Sequence, residues 1–229
     1  MSWLRLAFRA LLVGAIGVIG YFLLGQPKEV ERCDRYQPAD QPLIAHAGGG
    51  LPNAIYTNRL EAMETAAKHG FRLVELDFWR TSKGIALGHD PNALSPTTFA
   101  QLLEFLRRNP QISIVTDFKT DNVHGLKRIA ELAGPMKARF VPQIYDVAEY
   151  QPVRAMGFPQ PIFTAYRILN IGWVFRVNRL PVRAVTMPYK QRYLVGLVDH
   201  PVYLNTVNEP MPGYGLYTDC LIPAHPAQT

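Results

Sequence analysis

"RLVELDFWRTSKGIALGHD", residues 72–90, decides the fold. Its first eight residues, 72–79, are apolar and aromatic with acids at alternate places, the pattern of a β-strand. The "RTSKG" that follows is too short to hold a crossover helix. Residues 85–90 therefore return antiparallel as a hairpin centred on Ser82 and Lys83, which brings His89 back opposite Asp77 and Glu75. Around this hairpin, short apolar runs alternate with helical patterns. Strands are expected at 43–46, 112–119, 139–145, 161–166, 184–187, 202–207 and 215–219. Helices are expected over 57–70, with Asn58 and Glu61 at its N-cap and N3 positions and Gly70 as its stop, and over 95–110, with Ser95 before Pro96 at its start. Further helical patterns cover 122–134 and 170–180.

With the hairpin return set aside, the strands number eight, so the fold class is α/β: a small (β/α)8 barrel of the TIM type, its site at the carboxyl ends of the strands. A barrel of about 180 residues is at or below the usual size, which leaves an incomplete or distorted barrel as the alternative. The composition, 48% hydrophobic and 18% charged, is that of a globular chain rather than a disordered one.

The N-terminus reads differently. Arg5 and Arg9 precede a charge-free run from Ala10 to Pro27, which is just long enough to cross a bilayer. Residues 1–27 are expected to be a membrane anchor or a signal peptide, 28–42 a linker, and 43–229 the barrel domain. The early arginines favour the cytoplasmic side, so the barrel is expected to be exported. A bacterial inner membrane, with the domain facing the periplasm, fits best. Cys33 and Cys220 either pair in that oxidising compartment or remain two separate thiols.

The formal charge is +6, and no acidic residue falls between Glu149 and Asp199, where Arg154, Arg167, Arg176, Arg179, Arg183, Lys190 and Arg192 lie. Such a surface suits anionic lipid headgroups or a negatively charged substrate, or is a solvated face without a partner. Nucleic acid is not indicated, because no binding motif accompanies the charge. Nothing in the chain points to an obligate protein partner.

At the strand ends, polar residues gather: His46, then Glu75 and Asp77, then His89, then Asp117 and Lys119. Glu75 and Asp77, at i and i+2, share a strand face, and Asp117 joins them from a neighbouring strand. Three carboxylates at a low-dielectric site repel one another unless a cation sits among them, and an all-oxygen set suits Mg²⁺ or Ca²⁺. His46 and His89 beside such an ion suggest a base and an acid. Lys119 is placed to hold a phosphate oxygen, and Gly48 and Gly49 let the backbone approach one closely. Asn58 either caps its helix or turns its amide into the mouth. His69, His124, His200 and His225 lack such company and read as surface residues.

These residues, as "HAGG", "YTNRLEA", "ELD", "GHD" and "DFK", resemble the glycerophosphodiester phosphodiesterase family, within the barrel superfamily that also holds the phosphatidylinositol-specific phospholipases C. The resemblance is ordered from Ile44 to Lys119 and thin beyond, where "PIFTAY", "NTVNE" and "YTD" are only echoes. It implies His46 and His89 as the catalytic pair, Glu75, Asp77 and Asp117 as metal ligands, and Asn58 and Lys119 as substrate-binding residues. It also implies attack by the substrate's own 2-hydroxyl, giving a cyclic phosphate that water opens.

Two departures stand out. Ala47 occupies the place of an arginine that usually binds phosphate, which shifts that task to Lys119, the metal or a later arginine such as Arg154 or Arg167. Asp117 replaces the commoner glutamate. The helical insertion that some members carry after the H-D motif is absent, which implies a more open mouth. The leading expectation is hydrolysis of a glycerophosphodiester. The alternatives are a phospholipase-type lyase that releases a cyclic phosphate from a lipid or lysolipid, and a non-catalytic, membrane-tethered phosphodiester-binding protein.

Overall fold

The computed structural model describes Cys33, Tyr36 and residues 41–82, 84–166 and 172–222. The expected anchor of residues 1–27 and most of the linker lie outside the described residues, as do Arg167 and His225. No helix among the described residues is long and apolar enough to cross a membrane.

Nine strands are present among the described residues: β1 (Leu43–Ala45), β2 (Leu73–Thr81), β3 (Gly84–Leu87), β4 (Ser113–Phe118), β5 (Phe140–Ile144), β6 (Ile162–Thr164), β7 (Ala184–Pro188), β8 (Val202–Asn205) and β9 (Gly215–Thr218). Eight of them pair in parallel in the order β1-β2-β4-β5-β6-β7-β8-β9, and β9 pairs back onto β1, so the barrel is closed and undistorted in its connectivity. The remaining strand, β3, runs antiparallel on β2, with Thr81 opposite Gly84 and Phe78 opposite Leu87. That register leaves the turn between Thr81 and Gly84, and the Trp79 indole N–H donates to Gly88 O at 2.7 Å, fixing the returning chain.

The outer layer is thin, which is how so few residues close a barrel. Helix α1 (Leu60–Lys68) connects β1 to β2, α2 (Phe99–Arg108) leads from the hairpin to β4, α3 (Asn122–Ala133) links β4 to β5, and α4 (Tyr150–Ala155) and α5 (Gly172–Val177) are single short turns after β5 and β6. Between β7 and β8 the connection is 3₁₀ helix, Tyr189–Leu197. Between β8 and β9 it is loop alone.

Two helix starts differ from expectation. Thr98, not Ser95, caps α2, because Thr98 and Gln101 form a reciprocal capping box. Asn58 does not cap α1, whose N-cap is Arg59 with no side-chain bond. The Leu60 N–H is taken instead by Thr97 Oγ1 at 2.9 Å.

Inside the barrel, Ile44, Leu73, Val115, Val141, Ile162, Ala184 and Tyr217 form a closed apolar layer. Side chains two residues further along a strand share its face. The next layer up is therefore His46, Glu75, Asp117, Gln143, Thr164, Thr186 and Asp219, every one of them polar. A dry floor beneath a polar layer is the arrangement that lifts reactive groups to the mouth at the carboxyl ends. On the outside, a larger cluster including Met63, Leu76, Phe105, Ile114 and Leu126 packs the strands against α1, α2 and α3.

Cys33 and Cys220 are bonded to one another, with Cα atoms 5.4 Å apart, so the chain just before the barrel is joined to the chain just after its last strand.

Candidate active site

Glu75, Asp77 and Asp117 converge as expected. Asp77 and Asp117 are direct register partners on β2 and β4, each of the three carboxyl groups is buried, and one oxygen from each lies within 4.8 Å of the others. Burial, reinforced by the charge of Asp77, pushes the Glu75 carboxyl up to about 8. Asp77 goes the other way: burial alone would raise it, but the contact with His89 and the Lys119 charge outweigh burial and hold it at about 2. The Lys119 ammonium lies 2.6 Å from Asp77 Oδ1 and 2.7 Å from Asp117 Oδ2. Burial disfavours its charge, but these two carboxylates overcome that and keep it firmly protonated. Lys119 therefore lies within the cluster and offsets part of its charge.

The donor set fits a hard divalent cation. It is three buried carboxylates on neighbouring strands, with one oxygen from each within 4.8 Å of the others. Glu75 Oε2 is held in place by the Ala47 N–H at 2.7 Å.

His46 and His89 flank these acids. His46 Nδ1 is 2.9 Å from Asp219 Oδ1, and His89 Nδ1 is 3.4 Å from Asp77 Oδ2. Burial works against charge on His46, but the hydrogen bond to Asp219 and the charges of Glu75, Asp219 and Asp77 prevail and raise it to about 9. The two imidazoles stand either side of one ring: Tyr56 meets His46 edge-on with centroids 4.7 Å apart, and His89 at 4.5 Å. Asn58 turns its amide into the mouth. Its Nδ2 donates to Asp77 Oδ2 and its Oδ1 accepts from the Asp77 N–H, both at 2.8 Å, with the backbone at φ 51, a region asparagine tolerates.

The glycines after His46 answer to packing. The Gly49 N–H donates to His46 O and that of Gly50 to Asp219 O, both at 2.7 Å. A Cβ on Gly49 would lie 2.4 Å from Leu221 Cδ1, and one on Gly50 2.7 Å from Asp219 O. Gly48 is buried, facing Leu76 and Ala62. The run therefore makes room for the segment that carries Asp219. Arg154 is also accounted for elsewhere, since its guanidinium donates to Phe158 O. His69 and His124 are exposed, while His200 is half-buried on Val177 O.

Several residues of the mouth have no local signal in the sequence. Asp219 is held by Asn208, whose Nδ2 donates to Asp219 Oδ2 at 3.1 Å and whose Oδ1 accepts from the Asp219 N–H at 2.8 Å. The Tyr145 hydroxyl donates to Asp117 Oδ1 from the end of β5. Their one shared signal is position, immediately beyond the carboxyl end of a barrel strand. A cavity of about 690 Å³ lies at the opposite end of the barrel, lined by Leu43, Arg72, Leu73, Ser113 and Tyr203. It holds none of the acids.

Among solved structures, the fold matches a putative glycerophosphoryl diester phosphodiesterase from Silicibacter pomeroyi, with a TM-score of 0.64, 13% identity, and 81% of this chain and 92% of that chain covered. It also matches a glycerophosphodiester phosphodiesterase from Parabacteroides distasonis, with a TM-score of 0.60, 14% identity and coverages of 79% and 94%. A third match is an Oleispira antarctica phosphodiesterase in complex with the product sn-glycerol-3-phosphate, with a TM-score of 0.55, 14% identity and coverages of 77% and 92%. No protein-family model matches the chain, and no curated protein matches it in sequence. The chain thus has the barrel fold shared by glycerophosphodiester phosphodiesterases of known structure.

Proposed function

We propose that the protein hydrolyses a glycerophosphodiester to glycerol phosphate and an alcohol. The observation that carries this reading is the convergence of Glu75, Asp77 and Asp117 within 4.8 Å at the mouth of a barrel whose two flanking histidines span a single tyrosine ring. The fold shared with phosphodiesterases, one of them holding sn-glycerol-3-phosphate, supports it.

Glu75, Asp77 and Asp117 would hold one Mg²⁺ or Ca²⁺, which when bound offsets phosphodiester charge and makes a nearby hydroxyl more acidic. The remaining work belongs to the chain's own groups. Asp219 takes the Nδ1 side of His46 and leaves Nε2 for proton transfer. His46 and His89 act as a pair: one removes the proton of the glycerol 2-hydroxyl as it attacks phosphorus, and the other protonates the departing alcohol. Water then opens the cyclic phosphate with the roles reversed. Lys119, already shared between Asp77 and Asp117, balances charge at the cluster, and Asn58 and Tyr145 fix the orientation of Asp77 and Asp117. We place the enzyme outside the cytoplasm on an N-terminal membrane segment, supported by the charge-free run behind Arg5 and Arg9.

Phosphorus NMR of the products tests this. Wild-type protein should convert glycerophosphodiesters to glycerol phosphate, and His46→Ala and His89→Ala should each lose about 10²- to 10⁴-fold in kcat. A cyclic phosphate as the final product would replace this reading with a lyase. Full turnover in both variants, or none in the wild type, would refute the assigned pair.

A further inference from the structure

Beside the acid cluster, at the carboxyl ends of β5 and β6, a cleft opens between Tyr145, Tyr166, Trp173 and Arg176. In the barrel order β6 stands four strands from β1, so this wall faces His46 across the mouth. Tyr145 joins the cleft to the acids through its hydroxyl on Asp117, and Tyr166 stacks on Tyr145 with ring centroids 6.1 Å apart. Trp173, stacked on Phe163 at 5.5 Å, is only 5% exposed, and its indole N–H is buried with no acceptor among the described residues. A buried donor left without a partner is costly, so an acceptor brought to this wall gains more than one met in water. Arg176 lines the same cleft and forms no ion pair with a carboxylate among the described residues. Asp146 is the one carboxylate among the described lining residues, and its Oδ1 already accepts the Ala148 N–H.

The cleft therefore offers an exposed, planar guanidinium at its rim and a buried indole N–H without an acceptor among the described residues, walled by aromatic faces. A carboxylate matches a guanidinium fork in both charge and shape. We propose that this cleft is a subsite for the alcohol moiety of the diester and selects alcohols that bear a carboxylate, with the serine headgroup as the simplest case. The remaining oxygen of Asp146 is available to the ammonium of the same headgroup. The inference rests on the phosphodiesterase reading and adds its substrate class.

Glycerophosphoserine and glycerophosphoethanolamine differ only by that carboxylate. Calorimetric binding of each to full-length His46→Ala protein reads the subsite without turnover. The serine diester should bind roughly tenfold more tightly. Adding Arg176→Ala should reduce the difference to about twofold or less, and adding Trp173→Phe, which keeps the stack on Phe163, should reduce it in part. Equal affinities in the parent, failure of either diester to bind, or a preference that survives Arg176→Ala would overturn the proposal. Absence of turnover by the wild type would instead count against the phosphodiesterase reading, and leaves this binding comparison readable.

Discussion

His46 and Asp219 show how a single contact sets both chemistry and stability. The His46 proton affinity in the fold lies near 9, above the ordinary 6.5 of the unfolded chain, because Asp219 and the neighbouring acids outweigh the effect of burial. A raised value of this kind stabilises the fold fully below pH 6.5 and ceases to do so as pH rises through about 9, a span worth roughly 3 kcal/mol. Asp219→Asn keeps the shape and removes the charge. With divalent ions chelated, the variant should melt well below wild type at pH 6 and close to it at pH 9.5; an equal gap at both pH values would contradict the assignment. Of the residues gathered at the mouth, His46, Glu75, Asp77, His89 and Asp117 are legible in the sequence because they stand at the ends of strong apolar runs with a two-residue repeat. Asp219 is not legible, since its partner His46 is 173 residues away and the strand before it is only four residues long. Tyr145 escapes for a related reason: a lone tyrosine after a strand looks like core until Asp117 is placed beneath its hydroxyl.

At the scale of elements, the loop from β1 to α1 is shaped by what it must pass. Gly49, at φ 99 and pressed against Leu221, allows both the turn and the approach. Gly49→Ala should cost about 2–4 kcal/mol in chemical denaturation, combining overpacking with left-handed strain. Leu221→Ala added to it should return part of that loss. A double-mutant cycle with a coupling near zero would show that the contact is not the cause. The glycines announce a special backbone in the sequence, but not which neighbour requires it. The start of α2 carries a similar lesson. Ser95 and Pro96 look like a helix beginning, yet the Thr98–Gln101 box lies three residues on and satisfies two backbone groups at once, so it prevails. Ser95 is left to donate its hydroxyl to Asn58 O at 2.9 Å, steadying the residue that orients Asp77.

For the whole molecule, closure is the governing fact. The hairpin after β2 and the eight parallel strands are readable from run lengths alone, because a five-residue link admits no crossover. The pairing of the cysteines is not readable, because a barrel that brings its first and last strands together does not say where the chain before the first strand carries Cys33. The disulfide spans 187 residues, and a loop of that length carries a chain-entropy stabilisation of up to about 5 kcal/mol. Cys33→Ser with Cys220→Ser should lower stability by several kcal/mol in denaturant titration. An unchanged midpoint would mean that the bond does not constrain the unfolded chain.

The barrel, its dry floor and its polar upper layer all serve the carboxylate cluster, and the claim that this cluster works with a divalent ion has a direct test. Purified full-length protein is stripped with chelator, its turnover of a glycerophosphodiester is measured, and Mg²⁺ or Ca²⁺ is then restored. The account predicts that activity disappears on chelation, returns with one of the two ions, and does not return in Asp77→Asn. Undiminished turnover in the stripped protein would contradict it.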